Sequence, residues 1–297
     1  MTTTVPFGAL NRTYWFTVLA YPKLAPQFND SCPIGVIVGQ RAGFDLVLWN
    51  PPPDDTYSAT PPSTVSIRFE LFNTGNGVDR FLIQGSSSRA DVGLILEFVD
   101  GVDEYGYTEE VPPDPVMENP YFIDVRVRIP AWTQPNVEAI VSINTTSLFN
   151  VSYQGPSAVA TVRALQYYNF QVYINGPDKK VGIPGETVTF QIKISNLGNG
   201  PDTFSLVAVF DKVLNPGFAA VVNPSNITIE PNDNGTALLV VEVPEDAPKK
   251  TYFITVEVAS ESDMLSPVTK SVAVEVGQFY GIELTGDNTT REIVPGG

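Results

Sequence analysis

The sequence predicts an all-β chain: two tandem antiparallel β-sandwiches followed by one extra C-terminal strand. Three observations predict it. Apolar and polar residues alternate with period two over many short runs, among them 65–71, 121–129, 188–194 and 253–258, as half-buried strands do. The 26 prolines and 23 glycines fall mostly between those runs, where they read as turns and edge guards. A long stretch of the first half also recurs in the second.

The recurrence is specific. Val65-Ser-Ile-Arg-Phe-Glu-Leu-Phe-Asn-Thr-Gly-Asn-Gly-Val-Asp-Arg-Phe81 matches Val188-Thr-Phe-Gln-Ile-Lys-Ile-Ser-Asn-Leu-Gly-Asn-Gly-Pro-Asp-Thr-Phe204. Each copy is a strand, then Asn-x-Gly-Asn-Gly-x-Asp, then Phe. Glycine and asparagine tolerate the positive φ of a tight connection. Asn73, Gly75 and Asp79, with Asn196, Gly198 and Asp202, are therefore turn formers, and each Asp is expected to bond nearby backbone amides. Val127-Arg-Ile-Pro130 matches Val241-Glu-Val-Pro244, and Gln166-Tyr-Tyr-Asn-Phe-Gln-Val172 matches Gln278-Phe-Tyr-Gly-Ile-Glu-Leu284.

The elements follow in order. Residues 1–12 form an N-terminal arm. Residues 13–165 are the first sandwich, opened by Thr13-Tyr-Trp-Phe-Thr-Val-Leu-Ala20 as its first strand. Two insertions interrupt it. One, 21–60, carries the apolar runs 34–38 and 44–49 and the stiff acidic loop Pro51-Pro-Pro-Asp-Asp; the other is the acidic stretch 100–120. Residues 166–277 form the second sandwich, a length that suits the fold. The connection at 163–168 leaves almost no flexible linker, which predicts a stiff junction. Residues 278–297 copy the opening of the second sandwich and stop, with Pro295-Gly296 matching Pro184-Gly185.

Composition excludes several functions. The net charge is −16, so nucleic acid and anionic membrane surfaces would repel the chain. There is no histidine, which removes a Ser-His-Asp triad and the commonest metal ligand. Cys32 is the single cysteine, so an intrachain disulfide and a cysteine metal site are both excluded. No run reaches the roughly 18 apolar residues of a membrane helix. The first residues lack a basic region followed by an apolar core and do not read as a signal peptide. A leader removed earlier, another export route and no export all stay open.

Candidate chemistry is sparse. Asn-x-Ser/Thr sequons stand at Asn11, Asn29, Asn144, Asn150, Asn226, Asn234 and Asn288, and N-linked glycans on them would place the chain outside the cell. Asp100, Asp103 and Glu104 crowd the second insertion and are candidate calcium ligands, without the spacing of a dedicated calcium loop. The bland alternative is a solvated acidic loop. Paired carboxylates for glycoside hydrolysis have no specific signal here, and no catalytic residue is expected. The aromatic residues Tyr14, Trp15, Phe16, Tyr167, Tyr168, Phe279 and Tyr280 are expected to pack in cores or at junctions. Exposed, they would make a sugar platform.

The pattern Pro-Gly-Glu-Thr-Val-Thr-Phe, then Asn-x-Gly-Asn-Gly-x-Asp-x-Phe, then Val-x-Val-Pro resembles the NEW3/CARDB-like immunoglobulin-fold modules. It is full over 185–276 and partial over 64–162. The resemblance implies two immunoglobulin-like sandwiches and no catalytic residues. It also implies a spacer, adhesion or assembly role in secreted and cell-surface proteins, especially of archaea and some bacteria.

Together these readings predict a non-enzymatic structural subunit of an extracellular filament or surface layer, needing no cofactor. Its partners would be copies of itself, head to tail, without nucleic acid or membrane insertion. A lone strand exposes apolar side chains and unpaired backbone. Phe279, Tyr280, Ile282 and Leu284 are therefore expected to pair with a neighbouring subunit, as in donor-strand complementation. Truncation of a further domain would also leave such a strand, and the strand could instead fold back on the second sandwich. The alternative function is a set of accessory or carbohydrate-binding modules of a larger secreted hydrolase.

Overall fold

The computed structural model describes residues 2, 4–6, 8–27, 29–262 and 267–277. The expected extra strand, 278–297, lies outside them. The chain divides into two compact units between Tyr167 and Tyr168.

In the first unit, β1 (Thr13–Ala20) and β2 (Asp30–Ile37) pair only with each other. The sandwich begins after them. It contains β3 (Asp45–Leu48), β4 (Thr56–Ala59), β5 (Ser63–Phe72), β6 (Phe81–Ser87), β7 (Ile95–Asp100), β8 (Tyr121–Ile129), β9 (Glu138–Ser147) and β10 (Ala158–Ala164). One sheet runs β3-β5-β8-β7 and the other β4-β10-β9-β6.

The second unit contains β11 (Phe170–Asn175), β12 (Lys179–Gly182), β13 (Thr187–Asn196), β14 (Asp202–Val209), β15 (Ala219–Asn223), β16 (Asn226–Ile229), β17 (Asn234–Glu242), β18 (Thr251–Ser260) and β19 (Val268–Val276). Its sheets run β11-β13-β17-β15 and β12-β19-β18-β14-β16. Strand for strand this is the order of the first unit with β16 added. The chain is all-β, in two immunoglobulin-like sandwiches. The strand pairings are antiparallel except β4 with β10 and β12 with β19.

The alternation that predicted the strands also builds the cores. Val65, Ile67, Phe69 and Leu71 of β5 point inward against Ile123, Val125, Val127 and Ile129 of β8. Val188, Phe190, Ile192 and Ile194 of β13 repeat the arrangement with Ala237, Leu239 and Val241 of β17. Burying each large side chain stabilises the fold by about 1.5–3 kcal/mol.

The structure corrects the expected start of the first sandwich. Thr13–Ala20 is a strand, but it joins neither sheet of the sandwich. The first strand is β3, inside the expected insertion 21–60. Leu46 sits opposite Leu71 as Val172 sits opposite Ile194. The true opening is therefore Gln40-Arg-Ala-Gly-Phe-Asp-Leu46, equivalent to 166–172. Only Gln, Phe and one aliphatic position survive between those copies, so the match is faint. Period two marks a strand but does not say which sheet it joins.

The acidic stretch 100–120 is also more than a solvated loop. Residues Tyr107 and Val111 bridge to Leu82 and Asp79 along the free edge of β6. Val111 and Thr108 are buried. Asp79 opposite Val111 reproduces Asp202 opposite Ile229, so the insertion covers the edge that β16 covers in the second unit.

Candidate functional site

The repeated turn is the organising element. Asn73 is 1% exposed, and its Nδ2 donates to the carbonyls of Gly77 (2.9 Å) and Val111 (2.8 Å). Its Oδ1 accepts from the Gly75 amide at 3.0 Å. Asn196 repeats all three bonds with Gly200, Ile229 and Gly198 at 2.9, 2.8 and 2.9 Å. Asp79 reaches further than expected. Besides the Arg80 amide (2.8 Å), it accepts from Ser147 Oγ (2.5 Å) and from the Phe149 amide (3.0 Å), tying β6 to the end of β9. Asp202 accepts from Ser260 Oγ at 3.0 Å in the same place.

The middle asparagine of the motif was missed as a functional residue. Asn76 donates from Nδ2 to the carbonyls of Ala9 (3.1 Å) and Gly39 (2.9 Å). Its Oδ1 accepts from the Arg41 amide at 2.5 Å, and its carbonyl accepts from the Asn11 amide at 2.6 Å. One turn residue thus grips both legs of the β1–β2 hairpin. Gln40 Nε2 adds a bond to the Val78 carbonyl (2.9 Å), and Arg41 Nη2 one to the Thr74 carbonyl (3.0 Å). The hairpin is an arm rooted in the sandwich. A signal was present, because Asn76 and Asn199 occupy the same position in the two copies.

The arm carries apolar side chains on both faces. One face holds Trp15 (71% exposed), Leu19 (55%) and Ile37 (80%). Trp15 lies across Gly35, where a Cβ would sit 3.2 Å from the indole. This overturns the expectation that Trp15 packs in a core. The other face holds Tyr14, Phe16 and Val18 against Val36, Ile34 and Cys32. There Val5, Pro6, Tyr14, Phe16, Val36 and Val38 line a groove of about 440 Å³. A two-stranded hairpin is marginal in water by itself, and clustered exposed apolar groups mark interaction surfaces.

A second surface lies on the outer face of the β3-β5-β8-β7 sheet. Arg68 grips Asp124 with two bonds, Nε to Oδ1 at 2.6 Å and Nη2 to Oδ2 at 2.7 Å. Its guanidinium lies 5.5 Å from the Trp49 ring and 4.9 Å from the Phe122 ring. The hydrogen bonds from Arg68 hold the Asp124 carboxyl below its usual range, against the opposing pull of partial burial. Trp49, Tyr57, Ser66, Asp124 and Arg126 border a groove of about 430 Å³.

The other sequence candidates fall as follows. Asn11, Asn29, Asn144, Asn150, Asn226 and Asn234 are all exposed. Asn288, Phe279, Tyr280, Ile282 and Leu284 lie outside the described residues. Asp103 serves its own turn: Oδ1 accepts the amides of Tyr105 (3.0 Å) and Tyr107 (2.9 Å), and Oδ2 lies 3.7 Å from Arg80. Asp100 accepts the Gly101 amide at 2.8 Å. Asp100, Asp103 and Glu104 do not gather: among the described residues no three His, Cys, Asp or Glu converge to hold a metal ion. No helix among them is long and apolar enough to cross a membrane.

No family model and no curated protein matches the chain, so the resemblance to NEW3/CARDB-like modules rests on its own residues. Solved structures are similar at low identity. The protocadherin gamma-B4 extracellular domain aligns at 15% identity and a TM-score of 0.43, over 90% of this chain and 38% of that one. Domains 4 and 5 of the S-layer protein SbsC align at 12% identity and a TM-score of 0.27, over 66% and 76%. A family 123 glycoside hydrolase from Clostridium perfringens aligns at 14% identity and a TM-score of 0.30, over 37% of this chain and 28% of the enzyme's length. What those proteins do is not carried over to this chain.

Proposed function

We propose that this chain is a non-enzymatic structural subunit that works outside the cell, in a filament or surface layer, and joins copies of itself through β-strand contacts. The observation that carries the reading is the arm. It is additional to both sandwiches, it is held rigidly at its root by Asn76, and it presents Trp15, Leu19 and Ile37 to solvent. An element with open strand edges and uncovered apolar faces gains stability by receiving a partner. Six exposed sequons support glycans on the same assembly. Sedimentation velocity and negative-stain microscopy of the intact chain test the reading. Concentration-dependent polymers are expected, and the double variant Trp15→Lys/Ile37→Lys reduces them. A chain that sediments as a monomer at every concentration refutes it.

A second reading has one specific observation in its favour. Trp49 and Phe122 are 46% and 41% exposed and flank the Arg68–Asp124 pair beside a groove. Aromatic faces next to planar polar groups suit a carbohydrate ligand, as in an accessory module of a secreted hydrolase. Calorimetric titration with soluble oligosaccharides tests this, with Trp49→Ala abolishing any heat.

A further inference from the structure

Resting on the self-assembly reading, we propose that the outer edge of β1 receives residues 278–284 of a second copy as a third strand. The two edges of the arm are not equivalent. β2 contains Pro33, which withholds a backbone donor and belongs at an edge that stays unpaired. β1 runs for eight residues without proline, so its free edge offers an uninterrupted set of donors and acceptors.

The sequence of the incoming segment is that of a strand this fold has already built twice. Gln278-Phe-Tyr-Gly-Ile-Glu-Leu284 matches 166–172, and that pattern leads into β11, as 40–46 leads into β3. Both sandwiches already hold their own first strand. Neither has a vacancy for a third copy, and of the strands at sheet edges among the described residues β1 is the longest without proline, at eight residues, and lies beside exposed apolar groups.

Charge supports the same pairing. Within the arm and its roots, 9–39, the charged residues are Arg12 and Lys23 against Asp30, a slightly positive region in a chain of net charge −16. Within 278–284 the charged residue is Glu283. The arm and the segment are therefore of opposite sign by one charge each, which favours encounter. The groove of about 440 Å³ beside β1 offers apolar lining to an aromatic or branched side chain from the added strand. A contact from the segment of one copy to the arm of the next is heterologous, and repeated without closure it builds a fibre.

Cys32 is exposed on β2 and supplies the test. An added strand on the β1 side lies two strand spacings away, about 10 Å. Ile282→Cys in the intact chain is treated with a bismaleimide of about that span. A ladder of covalent multimers on a denaturing gel is expected, and Cys32→Ser removes it. Leu284→Cys is the second variant should the first disturb folding. Cross-linking that leaves monomers, with the link inside one chain, overturns the second copy as occupant; no cross-link from either variant overturns the strand. Truncation after Gly277 is expected to raise the concentration at which polymers form by about tenfold or more. Polymers unaffected by that truncation refute this contact and leave self-assembly standing, whereas an intact chain that never polymerises refutes both.

Discussion

Replacing Asn73 with alanine is expected to be among the most damaging single changes to the first sandwich. The side chain is buried and makes three hydrogen bonds, to the Gly77 and Val111 carbonyls and from the Gly75 amide. Alanine leaves the Gly77 carbonyl without a partner, whereas the Gly75 amide still donates to the Gly43 carbonyl (2.9 Å) and the Val111 carbonyl still accepts from the Asp79 amide (3.2 Å). One unsatisfied buried group costs about 1–3 kcal/mol and each of the two other lost bonds about 0.5–1.5 kcal/mol, so the loss is about 2 kcal/mol at the low end. With a urea slope of about 1–3 kcal/mol per molar, the midpoint falls by roughly 0.7–2 M. The assay is selective by construction, because Trp15, Trp49 and Trp132, the three tryptophans of the chain, all precede Tyr168. Tryptophan fluorescence follows the first unit, while far-UV dichroism follows both. Asn73→Ala shifts the fluorescence transition. Asn196→Ala, which breaks the same bonds in the second unit, shifts only the dichroism. A fluorescence midpoint that moves by less than about 0.3 M on Asn73→Ala refutes the reasoning.

Three further outcomes follow from the same geometry. Arg68 depresses the Asp124 carboxyl in the folded state, so this pair adds stability above the unfolded carboxyl value of about 3.9 and loses it as pH falls through the lower folded value. Asp124→Asn therefore gives a flatter acid limb below about pH 4 in fluorescence-detected unfolding, and identical limbs contradict the assignment. Gly155 faces Phe44 so closely that a Cβ would sit 2.4 Å from its ring, while Phe44 is already packed on Phe81 and Tyr153. Gly155→Ala is expected to cost about 1–3 kcal/mol by overpacking, read as a lower fluorescence midpoint. In a glycosylating host, Asn144→Gln and Asn150→Gln each remove one glycan increment from the intact mass, and unchanged masses rule those sites out.

Strands were legible because their signal is local. In β5, β8, β13 and β17 one side chain in two faces a core, and that alternation is written directly in the residues. The paired turn was legible because Asn-x-Gly-Asn-Gly-x-Asp appears twice, but its glycines do not take the expected positive φ: Gly75 is there for close approach, since a Cβ would sit 2.6 Å from the Arg41 carbonyl oxygen. The turn's energetic role was only half legible. Asp79 and Asp202 read as local turn formers, yet their carboxylates span to Ser147 and Ser260, some sixty residues on. The arm was misread for a related reason. Thr13–Ala20 has a better strand pattern than the four residues of β3.

By itself the sequence determined the all-β class, the duplicated sandwich, the acidic surface and the exclusion of histidine and disulfide chemistry, because composition, period and repetition need no knowledge of neighbours. Tertiary structure decided which strands pair. It set β1 and β2 apart as an arm, moved the start of the first sandwich to β3, laid the acidic insertion along the β6 edge and placed Arg68 between Trp49 and Phe122. The physical reason is that a strand makes none of its ladder hydrogen bonds within itself and leaves them to whichever partners arrive, often from far along the chain. A residue such as Asn76 shows its role only once both legs of the arm have been brought to it.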